Sequence, residues 1–171
     1  MKILAFLCLF VLTHSWAYAQ EDHAVLAADV INSQSTLALT IQHEEKWHTY
    51  WKNPGDAGIT TQFKFEHQGK ELLLEEHPWP SPHRYLEAGD ILTYGYEKDP
   101  TFFFKLPSGL TGPLKVVAQW LICKDICIPG GKTAELLFEK NSVVVKTPRS
   151  GLSESELRQR LSQLPQPAQQ W

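Results

Sequence analysis

The stretch LKVVAQWLICKDICIPGG, residues 114–131, decides how this chain folds. Its first half is rich in β-branched and aromatic side chains, which predicts a strand running into Cys123. On one straight strand, the Cα atoms of Cys123 and Cys127 would lie about 13 Å apart, whereas a disulfide tolerates roughly 4.4–6.8 Å. A bridge therefore requires a tight turn at residues 124–126 or one turn of helix. Because Pro129 and the glycines after it stop a helix, we predict the tight turn.

The close spacing of Cys123 and Cys127 leaves three interpretations of the pair open. A disulfide that closes so short a loop adds little stability in the chain-entropy model, which favours a labile redox pair. A structural clip in a small secreted domain is the second interpretation. Lys124 and Asp125 have opposite effects on a neighbouring thiolate, so the sequence leaves open which sulfur attacks.

The third interpretation is a soft-metal site for Cu(I) or zinc, in which both thiolates and a histidine bind the ion. Four histidines lie in the middle of the chain, His43, His48, His77 and His83. None of them has ligand spacing to the cysteines, so we predict no metal site and no cofactor.

The N-terminus has the layout of a secretory signal peptide. A short basic start precedes an apolar run, residues 3–12, and a small-residue cleavage site at residues 17–19. We therefore predict a signal peptide over residues 1–19, with cleavage before Gln20. The apolar run is too short to span a bilayer. The mature chain, without Cys8, is expected to be exported into an oxidising compartment.

Length and composition fit one globular domain with its own core. The chain has 171 residues, a formal net charge of −3 and 43% hydrophobic residues. This charge is not basic enough to predict nucleic-acid binding. No later segment is apolar enough to predict membrane insertion.

Short alternating segments separated by turn residues dominate the rest of the chain. Residues 24–31 and 36–42 alternate apolar and polar side chains around a polar turn, which predicts a hairpin. Seven or more such strands predict an all-β fold, an immunoglobulin-like antiparallel β-sandwich over residues 20–148. The βαβ units and helix-borne Cys-x-x-Cys of a thioredoxin-like domain are absent from this pattern.

Three segments in the middle have weaker patterns. Residues 71–75 are predicted to form a short strand, and the proline-rich residues 77–84 an extended connection. Residues 92–97 are predicted to be a short loop or an edge strand. Tyr94 and Tyr96 in this segment would either pack together or lie over the cysteines.

The C-terminal residues 149–171 are predicted to contain one short helix and a loose tail. Ser153 and Glu156 have the spacing of a capping box, which predicts that a helix begins after Ser153. The polar, Pro- and Gln-rich residues after the helix predict the tail.

Four blocks of sequence resemble a known protein family in the same order. They are WHTYWKNPGDAG (residues 47–58), WPSPHR (79–84), YGYE (94–97) and WLICKDICIP (120–129). Together they resemble the N-terminal periplasmic domain of the DsbD/ScsB family of thiol:disulfide interchange proteins, over about residues 24–147.

The resemblance implies an immunoglobulin-like domain in the periplasm whose redox pair is Cys123 and Cys127. It also implies that the loop around Thr93, Tyr94 and Gly95 is a cap that shields this pair. In the family, such a domain passes electrons from a membrane-embedded transporter to periplasmic substrate proteins. The membrane domain and thioredoxin-like domain that usually follow are not in this sequence, so we expect a separate protein to supply the electrons.

The sequence therefore predicts a thiol-disulfide exchange module, an oxidoreductase without a thioredoxin fold. Its expected partners are a membrane electron transporter of DsbD/ScsB type and periplasmic substrate proteins. The alternative is a non-catalytic β-sandwich interaction module, in cytochrome maturation or metal tolerance, whose disulfide is structural.

Overall fold

The computed structural model describes residues 22–87 and 89–166. The predicted signal peptide, residues 1–19, and the end of the predicted tail, residues 167–171, lie outside the described residues. The described residues form twelve strands and one helix. The elements in chain order are β1 (Ala24–Ile31), β2 (Thr36–His43), β3 (His48–Gly55), β4 (Gln62–His67), β5 (Lys70–Glu71), β6 (Glu75–Glu76), β7 (His83–Glu87), β8 (Ile91–Tyr96), β9 (Thr101–Lys105), β10 (Gly112–Cys123), β11 (Cys127–Phe138), β12 (Val143–Val145) and α1 (Glu154–Ser162).

The strands form two antiparallel sheets, which confirms the predicted immunoglobulin-like β-sandwich. One sheet has the order β1-β2-β9-β6 and the other has the order β12-β11-β10-β3-β8-β7. Strand β10 pairs with β11 along its whole length. On its other side, β10 pairs first with β4, at residues 114–119, and then with β3, at Ile122 and Cys123.

The core lies between the sheets and is filled largely by aromatic side chains. Phe102 and Phe104 of β9 alternate into it, and each is at most 3% exposed. The ring of Trp79 packs edge-on against Phe102, with 4.6 Å between ring centroids. Its indole N–H donates a hydrogen bond to Glu76. Trp79, for which the sequence assigned no role, is therefore a core residue, and burying a side chain of this size stabilises the fold by about 2–3 kcal/mol.

The middle of the chain differs from the sequence prediction. Residues 71–75 do not form one strand, because β5 ends at Glu71 and β6 begins at Glu75. Strand β8 is neither a loop nor an edge strand, since β3 and β7 pair with it on opposite sides. The predicted connection over residues 77–84 is also too long, because its last two residues, His83 and Arg84, begin strand β7.

Gly95 shows why β8 can take this interior position. A Cβ atom at residue 95 would lie 2.2 Å from the carbonyl oxygen of Thr49 on β3. Only glycine lets the two backbones approach so closely.

Strand β11 extends back to the cysteine turn. It starts at Cys127 and continues through Pro129 and Gly130. Among the described strands, β12 pairs with the outer side of β11 from Leu136 to Phe138. Pro129 is opposite Leu121, two residues from the Cys123–Cys127 pair, at a position where the N–H does not bond to β10, so the β10–β11 pairing tolerates a proline there.

The C-terminal helix α1 packs on the outer face of the four-stranded sheet. The predicted capping box is confirmed, with Ser153 as N-cap and Glu156 as its reciprocal partner. Leu157 and Leu164 form a second apolar cluster with residues of the outer sheet face, namely Ile31, Ala38 and Phe103. Within the described ranges, no helix is long and apolar enough to cross a membrane.

Asp29 fixes the segment that leads into this helix. Asp29 is buried, with 4% of the residue exposed. Its carboxylate accepts hydrogen bonds from the Ser150 backbone N–H (3.1 Å) and from the Ser150 hydroxyl (2.6 Å). Buried carboxylates need such partners, so the segment is held on β1 by satisfied polar contacts as well as by leucines.

His43, at the end of β2, is held in its uncharged form. Its Nε2 lies 3.1 Å from the hydroxyl of Thr49, and its backbone N–H donates to Asp99 at 2.9 Å. Burial lowers the pKa of His43 from 6.5 to about 4, against a smaller opposing effect of Asp99.

We predict that Leu157→Ala lowers the free energy of unfolding by about 2–4 kcal/mol, because it leaves a cavity between α1 and the sheet. The matched control is Leu161→Ala on the same helix, since Leu161 is only partly buried. That control should cost about 1 kcal/mol. Urea unfolding followed by circular dichroism measures both values. Equal losses for the two variants would contradict the proposed docking of α1.

We predict that His43 makes stability fall in acid. Its folded pKa of about 4 lies below the unfolded value of 6.5, so the unfolded chain binds the extra proton between these pH values. Its contribution is complete above pH 6.5 and is lost as pH falls toward 4, by about 3 kcal/mol in all. Urea unfolding at several pH values should show a smaller acid loss in His43→Gln than in the wild type. Parallel curves for the two proteins would refute this assignment.

Candidate functional site

The two cysteines form a disulfide across the end of the β10–β11 hairpin. Cys123 and Cys127 are directly opposite each other in the strand register, and their Cα atoms are 4.1 Å apart. The Lys124 N–H donates to the Ile126 carbonyl at 3.0 Å. Hydrogen-bonded and non-hydrogen-bonded pairs alternate along an antiparallel ladder, so the next pair, Cys123 and Cys127, is non-hydrogen-bonded. This is the type of pair in which the Cα atoms lie closer together. The predicted tight turn is therefore confirmed.

The two sulfur-bearing residues differ in their exposure. Cys123 is 2% exposed, whereas Cys127 is an exposed residue. Ile126, next to Cys127 in the turn, is 64% exposed. A macromolecular partner can therefore approach the pair from the Cys127 side, while Cys123 lies beneath its neighbours.

Strand β3 places a polar and aromatic face beside the disulfide. His48 is directly opposite Cys123 across the β3–β10 pairing. His48 and Tyr50 alternate along β3 and project from the same face of the sheet as Cys123. The Tyr50 hydroxyl lies 4.0 Å from the Cys127 sulfur.

The position of the Tyr50 ring depends on a glycine in the loop after β3. Tyr50 is 1% exposed. A Cβ atom on Gly58, whose φ is +101°, would lie 2.3 Å from the Tyr50 ring. The loop that follows β3 thus packs, at Gly58, against the side chain that reaches Cys127.

The Tyr50 hydroxyl keeps its proton at all ordinary pH values. Burial, with a smaller contribution from the negative charge of Glu87, raises the pKa of Tyr50 to about 12. Since a disulfide sulfur has no proton to give, Tyr50 is the donor in its contact with Cys127. The same donor would stabilise a thiolate at Cys127.

His48 lies in a pocket of aromatic and acidic side chains. Its imidazole stacks on Tyr85 at 5.4 Å and meets Tyr50 edge-on at 5.2 Å, both between ring centroids. Its Nε2 is 3.8 Å from a carboxylate oxygen of Glu87, and its side chain is 12% exposed. Burial lowers the pKa of His48, while Glu87 and Glu97 oppose this effect in part.

The predicted cap residues lie in β8, two strands away from β10. The Thr93 hydroxyl donates to Glu87 at 2.8 Å. Tyr94 meets Trp51 edge-on, with 6.4 Å between ring centroids. Gly95 lies against the backbone of β3. The contacts that the structure gives for these three residues do not include a cysteine sulfur, so their shielding role stays a prediction.

Sequence reasoning found the cysteines but missed their neighbours. His48 was considered only as a possible metal ligand, and Tyr50 only as one of several aromatics. Their spacing along a strand was a usable signal, since it places both on one face. The roles of Tyr85 and Glu87 depend on β7, which has no clear strand pattern in the sequence.

Comparisons with known proteins agree with this geometry. The family profile described as thiol:disulfide interchange protein DsbD, N-terminal, matches residues 17–139. No match was found among curated proteins.

Solved structures include similar domains. The N-terminal periplasmic domain of ScsB from Proteus mirabilis has 27% sequence identity and a TM-score of 0.62, over 85% of this chain and 56% of that chain. This chain thus spans little more than half of the ScsB chain that it matches. The DsbD N-terminal domain of Neisseria meningitidis, in the reduced form, has 11% identity and a TM-score of 0.50, over 72% of this chain and 90% of that chain. At 11% identity, the second likeness concerns the fold alone.

The matched residues 17–139 include both cysteines, the His48 and Tyr50 face and strands β1 to β11. Family membership and the disulfide together support a thiol-disulfide exchange module. The profile covers well over half of the sequence, and the chain therefore belongs to the family of the N-terminal domain of the thiol:disulfide interchange protein DsbD.

Proposed function

We propose that this protein is a periplasmic thiol-disulfide exchange module that passes electrons between a protein thiol donor and periplasmic protein disulfides. The observation that carries the proposal is the unequal exposure of the two bonded cysteines. Cys127 is exposed at the tip of the hairpin, and Cys123 is 2% exposed beneath it. A structural clip has no need for one accessible sulfur, whereas exchange with a protein partner does.

Reduction of the domain begins at Cys127. A donor thiolate attacks the Cys127 sulfur, a new bond forms between these two sulfurs, and the Cys123–Cys127 bond breaks. The electron pair leaves on the Cys123 sulfur. A second donor thiol then attacks the donor sulfur of the mixed disulfide, so that the donor becomes a disulfide and both cysteines of the domain are reduced.

Oxidation by a substrate runs through the same sulfur. The Cys127 thiolate attacks the substrate disulfide and displaces one substrate thiolate. Cys123 then attacks Cys127, restores the intramolecular disulfide and releases the second substrate thiolate. Cys127 is therefore the attacking residue, and Cys123 is the resolving residue.

The proposed partners follow from the family and from the accessible face. The donor is a membrane electron transporter of DsbD/ScsB type, and the acceptors are periplasmic proteins with disulfides. The periplasmic location is part of the proposal and is supported by the location of the ScsB domain, which is periplasmic in Proteus mirabilis. Strand β8 with Thr93, Tyr94 and Gly95 is proposed to shield the Cys123 side of the pair.

We predict a reduction potential above about −300 mV for the Cys123–Cys127 pair, the range of exchangeable disulfides. Equilibration of the purified mature domain in a series of glutathione buffers measures it. Double replacement of both cysteines by serine should abolish exchange and leave the fold largely intact. A potential below that limit would make the disulfide structural, and the interaction module would then be the better description.

We predict that the two single-cysteine variants differ in reactivity. Cys123→Ser leaves the exposed Cys127 and should form a mixed disulfide with oxidised glutathione readily. Cys127→Ser leaves the buried Cys123 and should react at least about tenfold more slowly, because thiol reactivity follows access. Mass spectrometry of acid-quenched samples gives both rates. Equal rates, or a faster Cys127→Ser, would reverse the assignment of attacking and resolving residues.

A further inference from the structure

His48 carries a feature that the disulfide form leaves unexplained. Its Nε2 is buried and has no hydrogen-bond partner among residues 22–87 and 89–166. Glu87 is the nearest charged group, but 3.8 Å is beyond hydrogen-bond distance. Buried polar atoms without a partner are rare, and each one needs an explanation.

The neighbouring cysteine is a candidate proton partner for the His48 imidazole. His48 is directly opposite Cys123 in the register, and both side chains project from the same face of the sheet. In the disulfide, the Cys123 sulfur has no proton to donate. After reduction, Cys123 becomes a thiol whose proton needs an acceptor on this face.

Burial makes such an acceptor necessary. Cys123 is 2% exposed, so bulk water has little access to its proton. Yet Cys123 must be a thiolate to attack the mixed disulfide at Cys127. A base inside the fold must therefore take the proton.

His48 is a candidate for this base, and five titratable groups face it. They are Tyr50 on β3, Tyr85 and Glu87 on β7, Glu97 after β8 and His43 on β2. Burial raises the pKa of Tyr50 and Tyr85 to about 12, so neither takes a proton near neutral pH. Burial lowers the pKa of His48, which keeps its imidazole neutral and able to accept one.

Glu87 completes the arrangement. Its carboxylate is held by the Thr93 hydroxyl at 2.8 Å and faces Nε2 of His48 at 3.8 Å. A negative charge at this distance favours the imidazolium that forms when His48 accepts a proton. Thr93, proposed above to belong to the cap, thus also orients the acid beside His48.

We propose that His48 is the proton acceptor that activates Cys123 when Cys123 resolves the mixed disulfide at Cys127. His48 takes the thiol proton of Cys123, and the Cys123 sulfur attacks the Cys127 sulfur. The bond between Cys127 and the partner sulfur breaks, and the electron pair leaves on the partner. The imidazolium then returns its proton to the leaving thiolate or to water. In the opposite direction, His48 first takes a proton from the incoming donor thiol or from water, and the imidazolium then protonates the Cys123 sulfur as that sulfur leaves. This inference rests on the proposed exchange function.

The first experiment follows resolution with oxidised glutathione as the probe. The reduced domain is mixed with it, samples are quenched with acid, and the glutathione-bearing domain is counted by mass spectrometry across a pH series. His48→Gln keeps a polar side chain but does not titrate. It should accumulate the mixed disulfide, because resolution slows by about 10²-fold, the lower end for a positioned base. It should also lose the step in the pH profile that His48 produces.

The matched control is His83→Gln, an exposed histidine on β7. It should resolve the mixed disulfide at the wild-type rate. If His48→Gln does so too, with the wild-type pH profile, the role of His48 is refuted while the exchange function stands. Equal slowing in His48→Gln and His83→Gln would also refute the proposed role of His48. A wild-type domain that forms no mixed disulfide and does not reoxidise would overturn both proposals.

A measurement on the wild type makes the test independent of the folding of any variant. NMR titration of the histidine ring protons in the oxidised and reduced domain gives the pKa of each histidine in both states. The pKa of His48 should differ between the disulfide and dithiol forms. An unchanged His48 pKa would contradict a proton exchanged with Cys123.

Discussion

The register of the β10–β11 hairpin is the constraint on which the site depends. Its pairing runs without interruption from Gly112 opposite Phe138 to Cys123 opposite Cys127. A slip of one residue would send the side chains of one strand to the other face and separate the sulfurs. Strand β10 also pairs with β3, through the last two residues of β10, and this pairing brings His48 and Tyr50 beside the disulfide. Core packing along the hairpin thus fixes the geometry at its tip.

Local signals in the sequence were sufficient for the hairpins, the turn and the helix start. The tight turn followed from the distance that a Cys123–Cys127 bridge permits, and the helix start followed from Ser153 and Glu156. These features depend on residues close together in the chain. The resemblance of four sequence blocks supplied the family and the expectation that the two cysteines are a redox pair.

Contacts between distant segments could not be predicted in the same way. The pairing of His48 with Cys123 and the approach of Glu87 to His48 depend on the order of β10, β3, β8 and β7 in the sheet. Alternation gives the face on which a side chain lies, but it does not give the neighbouring strand. Strand β2 is a second example. Alternation places Ala38 on the face opposite Leu37 and Leu39, yet Ala38 is equally buried, because α1 covers that outer face.

The unequal exposure of the two sulfurs also has a kinetic consequence for the proposed function. With Cys123 buried, the electron donor and the electron acceptor must form their covalent bonds with the same atom, the Cys127 sulfur. They cannot occupy it together, so no ternary complex of donor, domain and acceptor forms through covalent bonds. The domain instead alternates between two stable forms and meets one partner at a time, a ping-pong scheme in which each partner competes with the other for a single sulfur.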